Sequence, residues 1–568
     1  MVERKTSYEV QTLRDERWLV AEVHDDEAAA KAAAVKLLKR AEVSGVRVVR
    51  DWQRRDNRHV ERIVFSEAKE TRREDRILAN NVDTATYCRV EDDYFRLESR
   101  LTINRVIRTY LDKQILTPTE LLHNHRELRR LSTYDRLVPS SADKIATIQC
   151  RETGEDGRAR RDAILTAVDN ILAKAREAER NPALRSIEGR DFAAAYAALS
   201  KAVSSPEIRD YLALVAVSKH LVDNRNWLGK LADLLDSLDG DLDPQAARLL
   251  DGVVADVLGS PAVVQELLGW QPSLATALCR LADLSEGTLS VEGRAADDVA
   301  RLLNRLFAKG ILPAARVALL ERIHRQLVGG SALSRTEPEA ETKAFTEVVD
   351  RFLPADGPFG GPATTEAVTR RAIRLVQRGG APGESDAIAE VVLRLPQVER
   401  RVIYLTSLAA TPLGRTHISD VLRHLGEITG RASVDQIVNP RLAPTDKAAA
   451  ITRLYDRIRE SPLPEAERQR HGNRLDETLA RYLVQEGIIE NFDNPADGLR
   501  VRAFRLVEFC ASGVLTPGKA MALARERVIG HIRKPNFDSE LVAGLPSAGE
   551  KEKAIRDFFT LLRKAGFQ

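Results

Sequence analysis

The chain has 568 residues, of which 43% are hydrophobic and 5% aromatic, and 87 basic and 84 acidic side chains give it a formal net charge of +3. This length exceeds what one hydrophobic core supports, so roughly three or four folding units are expected. The near-neutral charge argues against a dedicated nucleic-acid-binding protein, which needs a one-sided basic field. The scarcity of aromatic residues predicts cores of Leu, Val, Ile and Ala and argues against large base-stacking surfaces.

The four cysteines, Cys88, Cys150, Cys279 and Cys510, lie far apart in the sequence. They form no CxxC pair and no disulfide framework, and a single cysteine is more typical of a small buried hydrophobe than of a nucleophile. The N-terminus lacks an apolar signal core, and no window approaches about 18 uninterrupted apolar residues. A cytoplasmic protein is therefore expected. Its Arg-, Ala- and Leu-rich composition resembles that of bacterial proteins from GC-rich genomes.

The first 68 residues differ from the rest of the chain. Four short segments alternate polar and apolar side chains with the period of a β-strand: residues 7–13, 18–23, 46–52 and 59–65. An alanine-rich stretch between the second and third segments, residues 27–40, has the length of a helix, and Asp25 or Asp26 precedes it as an N-cap. This order predicts a small α+β module, β-β-α-β-β.

Past residue 70 the apolar period becomes that of an α-helix. A small polar residue directly before a proline recurs there. Such a pair opens a helix, because the polar oxygen accepts a first-turn amide and proline needs no hydrogen bond at that position. The ten pairs are Thr117-Pro118, Asn181-Pro182, Ser205-Pro206, Asp243-Pro244, Ser260-Pro261, Thr411-Pro412, Asn439-Pro440, Ser461-Pro462, Asn494-Pro495 and Thr516-Pro517. The fold class is therefore mainly α: the small N-terminal α+β module followed by a multi-lobed all-α array or bundle of about twenty helices.

A helix pair is predicted over residues 96–111 and 119–131. The pair Thr117-Pro118 starts its second helix, and Glu120 is placed to complete a capping box. Residues 137–148 are predicted to form a loop or linker, because proline and serines interrupt the apolar period there.

Two longer helices are predicted further along. A charged helix runs from about residue 158 to residue 179. An amphipathic helix covers residues 244–258, with Asp251 and Asp256 outside its apolar stripe. Gly259 is expected to end this helix in a left-handed conformation.

Breaks in the helical pattern divide the chain. Residues 354–362 and 379–383 are rich in glycine and proline, and a further boundary is expected near residues 433–446. No fixed repeat period is present. Five segments are predicted: an α+β module over 1–68, a helical pair over 70–136, a helical array over 150–353, a helical lobe over 363–432 and a C-terminal bundle over 446–568.

One string resembles a phosphate-binding loop. Residues 513–520, GVLTPGKA, match the pattern GxxxxGK up to Lys519. The next position requires a Ser or Thr hydroxyl for Mg²⁺ but is Ala520, and the residues before the motif have helical rather than strand spacing. A helix that ends near Gly513 and a second one that begins at Thr516-Pro517 are therefore expected.

Histidine and acidic clusters give no metal-site pattern. His123 and His125 point to different faces of a helix, whereas ligation from one face needs a spacing of three or four. His417 and His424 are seven apart and lack a third ligand. The acidic run at 91–93 fits the first turn of a helix better than a cation site. No metal, cofactor or catalytic residue is predicted, and no GxSxG, HExxH or GxGxxG motif occurs.

Two regions carry the residues expected to bind a partner. Residues 87–131 are dense in aromatic and arginine side chains, which concentrate interface energy, although core burial of the aromatics is an equal alternative. The C-terminal bundle has a locally cationic surface for phosphate, an acidic partner or RNA, with a salt-bridged solvent-exposed face as the favoured alternative. The candidate residues are Tyr94, Phe95, Tyr110, Arg500, Arg502, Arg505 and Lys519.

These observations favour a non-enzymatic protein: a cytoplasmic scaffold or signalling adaptor that binds another protein through helical surfaces. The second hypothesis is a regulator that binds nucleic acid or a nucleotide through the cationic C-terminal bundle, although the charge balance does not support nucleic acid. The third hypothesis is an enzyme whose site is assembled from residues scattered along the sequence. No membrane partner is expected, and the oligomeric state does not follow from the sequence.

Overall fold

The computed structural model describes residues 6–14, 17–40, 43, 45–53, 59–68, 77–134, 136–291, 293, 296–334, 338–378 and 383–567. They form a small antiparallel sheet at the N-terminus followed by a many-helix array, which confirms the predicted fold class. The chain divides into two compact units. The first unit comprises Met1–Gln271 and Arg280–Ile323, and the second comprises Pro272–Cys279 and His324–Gln568. The five smaller segments stay a prediction.

The N-terminal elements confirm the β-β-α-β-β order. They are β1 (Thr6–Arg14), β2 (Arg17–His24), α1 (Glu27–Leu38), β3 (Gly45–Gln53) and β4 (His59–Ala68). The strands pair antiparallel in the order β2-β1-β3-β4. Asp26 caps α1, since its carboxylate accepts a hydrogen bond from the Ala29 amide at 2.8 Å. Ala30 and Ala34 are fully buried in the core that α1 shares with the sheet, so their small side chains allow close packing.

Twenty-seven further α-helices follow among the described residues, more than the number predicted. Those before residue 271 are α2 (Leu97–Val106), α3 (Arg108–Gln114), α4 (Pro118–His123), α5 (His125–Thr133), α6 (Leu137–Thr153), α7 (Gly157–Ala178), α8 (Phe192–Ala202), α9 (Pro206–Val222), α10 (Trp227–Leu238), α11 (Pro244–Leu258) and α12 (Pro261–Leu268). Three 3-10 helices are Glu91–Phe95, Pro182–Ile187 and Val434–Gln436.

The helices beyond residue 271 complete the array. They are α13 (Leu274–Glu286), α14 (Asp297–Ala308), α15 (Pro313–Val328), α16 (Pro338–Phe352), α17 (Pro362–Arg378), α18 (Glu384–Arg394), α19 (Val398–Ala409), α20 (Pro412–Thr416), α21 (Ile418–Thr429), α22 (Pro444–Arg459), α23 (Glu465–Gln485), α24 (Ile488–Phe492), α25 (Leu499–Ala511), α26 (Lys519–Ile532), α27 (Phe537–Leu541) and α28 (Ala548–Lys564).

Six of the ten polar–proline pairs open a helical segment. In each of the six, the proline is the first residue of the segment: Pro118, Pro182, Pro206, Pro244, Pro261 and Pro412. The other four pairs do not open a helix. Asn439 and Asn494 each accept the amide two residues on with the side-chain oxygen, the same contact that Asn181 makes at its helical segment, so this contact alone does not start a helix.

The loop predicted over residues 137–148 is wrong, because this stretch belongs to α6. Pro139 lies in the first turn, where a backbone amide has no partner inside the helix, so its missing N–H costs nothing. The hydroxyl of Ser141 donates to the carbonyl of Leu137 within the same helix, at 2.7 Å. Burial of Leu137, Ala142 and Ala146 outweighs the local preference for a turn.

The predicted helix pair is present, but each member is split in two. The chain breaks at Ile107 between α2 and α3 and at Asn124 between α4 and α5. The side-chain oxygen of Asn124 accepts the amides of the first turn of α5, so it starts a new helix. The capping box is confirmed: the Glu120 amide donates to the Thr117 hydroxyl at 3.1 Å, and the Thr117 amide donates to the Glu120 carboxylate at 2.8 Å.

The helix predicted over residues 244–258 is α11, but its predicted left-handed end at Gly259 is wrong. Asp251 and Asp256 are 1% and 0% exposed, because α11 is surrounded on nearly all sides. Gly259 has a φ of −62°, in the right-handed region. Glycine is needed there for space, since a Cβ atom would overlap the side-chain amide of Asn104.

The predicted breaks fall between helices. Residues 354–361 connect α16 to α17, and Gly360 and Gly361 adopt positive φ values of 68° and 90°. The expected boundary near residues 433–446 contains the short 3-10 helix before α22. Residues 379–382 of the other break lie outside the described residues.

Candidate functional site

A cleft of about 910 Å³ lies within the first unit. Its walls come from the end of α7, the 3-10 helix Pro182–Ile187, the start of α8, the second half of α9, and α10. The turn between α7 and α8 is fixed locally. Asn181 caps the 3-10 helix by accepting the Ala183 amide at 3.0 Å, and Asp191 caps α8 by accepting the Ala194 amide at 2.8 Å.

The floor of the cleft is apolar. Leu184 and Phe192 are half-buried there, and Leu221 and Leu234 are buried beneath. The side chains of Leu184 and Phe192 also pack against the core cluster around Ala195. An apolar floor with a charged rim is the composition of a recognition surface.

One wall of the cleft is acidic. Asp233 and Asp236 lie three positions apart on one face of α10, and Asp223 follows α9 next to Asn224, whose side chain contacts Asp233. Asp223 pairs with Arg62 of β4 at 3.1 Å, and both side chains are exposed. Asp233 accepts a hydrogen bond from the side-chain amide of Asn224 at 3.2 Å.

Ser237, His220 and Asp233 all line this cleft, and a hydrolytic triad uses these residue types. The hydroxyl of Ser237 donates to the main-chain carbonyl of Asp233 at 3.0 Å, the usual contact of a serine inside a helix. His220 is 67% exposed, and its Nε2 lies 3.7 Å from the Asp233 carboxylate, beyond hydrogen-bond distance. The Ser237 hydroxyl therefore donates its hydrogen within its own helix, whereas a serine nucleophile donates it to a general base.

The aromatic candidates lie in the core of the first unit. Tyr110 is fully buried and packs edge-on against Tyr134 with ring centroids 5.0 Å apart, and burial raises its pKa. Tyr94 and Phe95 are half-buried against the same core cluster. Core burial was the alternative for these residues, and the structure supports it for Tyr110 most clearly.

His123 is a core residue as well. Its ring packs against Phe95 and Tyr211 at 5.3 and 4.7 Å, and its Nδ1 lies 2.8 Å from the carbonyl of Thr119. Complete burial lowers the pKa of His123 to about 3. The ring is therefore neutral in the folded protein at neutral pH, and its N–H donates to the Thr119 carbonyl.

We expect His123 to make the first unit sensitive to mild acid. Its pKa in the folded state lies below the unfolded value of about 6.5, so its contribution is complete above that pH and is lost as the pH falls toward 3. This one group should remove about 2 kcal/mol of stability between pH 8 and pH 5. Urea unfolding at both pH values measures the loss, and His123→Gln should make the difference between them smaller by that amount. An unchanged difference in the variant would contradict the assignment.

The cationic candidates lie in the second unit, and three of them pair with acids. Arg502 contacts Asp493 at 2.7 Å and Arg505 contacts Asp497 at 2.6 Å. Lys519 contacts Glu477 at 2.7 Å. Arg500 is half-exposed on α25. These pairs support the alternative of a salt-bridged face, and the aromatic and cationic candidates belong to different units.

The string at 513–520 joins two helices, α25 and α26, as expected. A carboxylate of the protein lies where a phosphate loop would hold its anion. Asp476 accepts the Lys519 amide at 2.5 Å, the Ala520 amide at 3.1 Å and the Thr516 hydroxyl at 2.5 Å. A Cβ at Gly518 would overlap this carboxylate, so the second glycine of the string makes room for a buried side chain.

The remaining polar clusters also have structural contacts. Asp93 accepts the amides of Arg89 and Val90, which lowers its pKa and starts the 3-10 helix Glu91–Phe95. His417 lies 2.5 Å from Glu384, and His424 lies 3.2 Å from Glu427. Among the described residues, no group of three or more His, Cys, Asp or Glu side chains is arranged to hold a metal ion.

Sequence reasoning missed the cleft and the buried carboxylates. The cleft is built from residues at the end of α7, in the 3-10 helix Pro182–Ile187 and in α8 to α11, and none of these elements carries a local motif. Asp251 offers one signal in retrospect: it stands in an apolar helix and accepts the amides of Ala314 and Ala315 at the start of α15, at 2.6 and 3.0 Å. An acidic residue amid apolar neighbours is therefore a candidate cap for a distant helix.

Comparison with models of known protein families gives no match for this chain, and comparisons with curated proteins and with solved structures give none either. Over the described part of the chain, every helix is too short or too polar to cross a bilayer.

Proposed function

We propose that this protein is a non-enzymatic cytoplasmic adaptor that binds another protein in the cleft of the first unit. The observation that carries the proposal is the cleft itself, about 910 Å³ in volume, with an apolar floor and a charged rim. Protein interfaces combine an apolar centre with a polar periphery, and this cleft has both. Two of the helical segments that form it are capped, the 3-10 helix Pro182–Ile187 by Asn181 and α8 by Asp191, so this part of the surface is held in shape before a partner binds.

The serine, histidine and aspartate in the cleft favour binding over hydrolysis. The Ser237 hydroxyl donates to a carbonyl of its own helix, and the His220 side chain is 67% exposed. A positioned nucleophile would need the opposite arrangement. In a binding surface, these three side chains can instead form hydrogen bonds and charged contacts with a partner around the apolar floor.

Affinity capture with paired variants tests the proposal. Phe192→Glu places a charge on the floor, and the first turn of α8 accepts an acidic residue without loss of the helix. Phe559→Glu is the matched control, since Phe559 is 44% exposed on α28 in the second unit. A partner protein should be recovered with the wild type and with Phe559→Glu, and its recovery with Phe192→Glu should fall about tenfold, which corresponds to about 1.4 kcal/mol of binding free energy.

Two results would contradict the adaptor function. One is a partner-free monomer at native expression levels. The other is equal recovery of every captured protein with both variants, which would mean that the cleft does not contribute to binding.

A further inference from the structure

We propose that the cleft of the first unit receives a basic amphipathic helix of the partner protein, with an apolar face and Lys or Arg side chains on its flanks. This inference rests on the proposed adaptor function and adds the chemistry of the partner. Three features of the cleft carry it: the charge of the lining, the ends of two helices and the apolar floor.

The lining carries an excess of negative charge. Six carboxylates line the cleft against three basic side chains and one histidine, and Arg62, from outside the lining, pairs with one of the six, so the carboxylates remain in excess. The carboxylates are Glu179, Glu188, Asp191, Asp223, Asp233 and Asp236, and the basic residues are Arg185, Arg190 and Lys219. A cleft with a low-dielectric floor concentrates the field of its charges, so this one attracts cations.

Two helix C-termini reinforce this field. Both α7 and α9 end at the cleft, since Glu179 follows the last residue of α7 and Asp223 follows the last residue of α9. The C-terminus of a helix carries about half a negative charge from its unsatisfied carbonyls. One helix N-terminus also faces the cleft, that of α8, but the carboxylate of Asp191 already caps it.

An arginine of the same chain already binds the acidic wall. Arg62 of β4 reaches the wall and pairs with Asp223 at 3.1 Å, with both side chains more than half exposed. A guanidinium of a partner can make the same kind of contact along Asp233 and Asp236.

The floor decides between a small cation and a protein segment. A metal ion would leave Leu184 and Phe192 in contact with water, and a polyamine, whose apolar surface consists of short methylene segments between its amines, would cover little of them. An amphipathic helix covers an apolar floor with one face and places basic side chains at the rim with its flanks. The cleft therefore fits a helix with a leucine-rich face and basic flanks.

The test uses the full-length protein and two labelled peptides of about 18 residues, which is five helical turns. One peptide is an amphipathic helix of leucine and lysine, and the second has glutamate in place of every lysine. Fluorescence anisotropy measures binding of each peptide at low and at physiological salt. The lysine peptide should bind at least about tenfold more tightly than the glutamate peptide, and its affinity should fall as salt screens the charges.

Charge-reversal variants locate the binding. Asp223→Lys should weaken binding of the lysine peptide about tenfold, and combining it with Asp236→Lys should weaken it further. Asp162→Lys is the control: its side chain is 62% exposed on α7, compared with 63% for Asp223, and it lies outside the cleft. The control should bind the peptide within about twofold of the wild type.

Other outcomes overturn the inference. Tighter binding of the glutamate peptide, or an equal loss with Asp162→Lys and Asp223→Lys, would show that the acidic wall does not select the partner. If the lysine peptide fails to bind while capture of a partner still depends on Phe192, the adaptor function stands and the partner has a different chemistry. If capture also fails, both proposals are wrong.

Discussion

Replacing Asp256 with alanine is expected to lower the free energy of unfolding of the first unit by about 3–5 kcal/mol. The Asp256 carboxylate is fully buried and pairs with the Arg100 guanidinium at 3.1 Å. It also accepts the amide and the hydroxyl of Thr119 in the first turn of α4, at 2.9 and 2.6 Å. Alanine leaves a buried guanidinium without its counter-charge and a buried amide without an acceptor, and each of these is costly.

Denaturant unfolding of the first unit measures this effect. The control is Asp162→Ala, because Asp162 is exposed and its contact with Arg161 is a surface ion pair. Such pairs contribute about 0–1 kcal/mol. A loss below about 1 kcal/mol for Asp256→Ala would show that the network is not cooperative and that water replaces the carboxylate.

The second large effect concerns the buried pair of Lys230 and Glu120. Both side chains are 0% exposed, and the Lys230 ammonium lies 2.5 Å from the Glu120 carboxylate and 2.6 Å from the Ile115 carbonyl. Burial lowers the pKa of Lys230, and the adjacent carboxylate opposes that shift. Lys230→Met and Glu120→Gln should each destabilise the first unit by about 3–5 kcal/mol, because each leaves one buried charge alone.

The double variant distinguishes a specific pair from two independent packing defects. Lys230→Met combined with Glu120→Gln should cost at least about 2 kcal/mol less than the sum of the single losses, since no buried charge remains. The double-mutant cycle needs only the four unfolding free energies. Strict additivity would mean that the two groups do not interact in the folded protein.

Local signals in the sequence predicted the local structure well. The cap at Asp26 and the capping box of Thr117 and Glu120 are as expected, because both depend on residues three positions apart. At Asn439 and Asn494 the side-chain oxygen also accepts a main-chain amide, but no helix follows. The polar–proline pair alone therefore does not distinguish a helix start from a turn.

What the sequence did not reveal depends on residues far apart along the chain. Asp256 is buried because Arg100 and Thr119 satisfy it, and no window around α11 contains either residue. Residues 137–148 form a helix because Leu137 and Ala146 are buried in the hydrophobic core. The cleft also depends on contacts between residues far apart in the chain. Taken singly, α7, α8, α9 and α10 have ordinary surface residues, and only the packing of these helices places six carboxylates around one apolar floor.

The contact between Asp256 and Thr119 spans 137 positions of the chain. During synthesis, α4 emerges from the ribosome long before the residue that completes its first turn. Until α11 has been translated, the Thr119 amide and hydroxyl must keep water as their hydrogen-bond partner, so α4 cannot be buried in its native position. Contacts of such long range slow folding, and the native packing of α4 is therefore a late event.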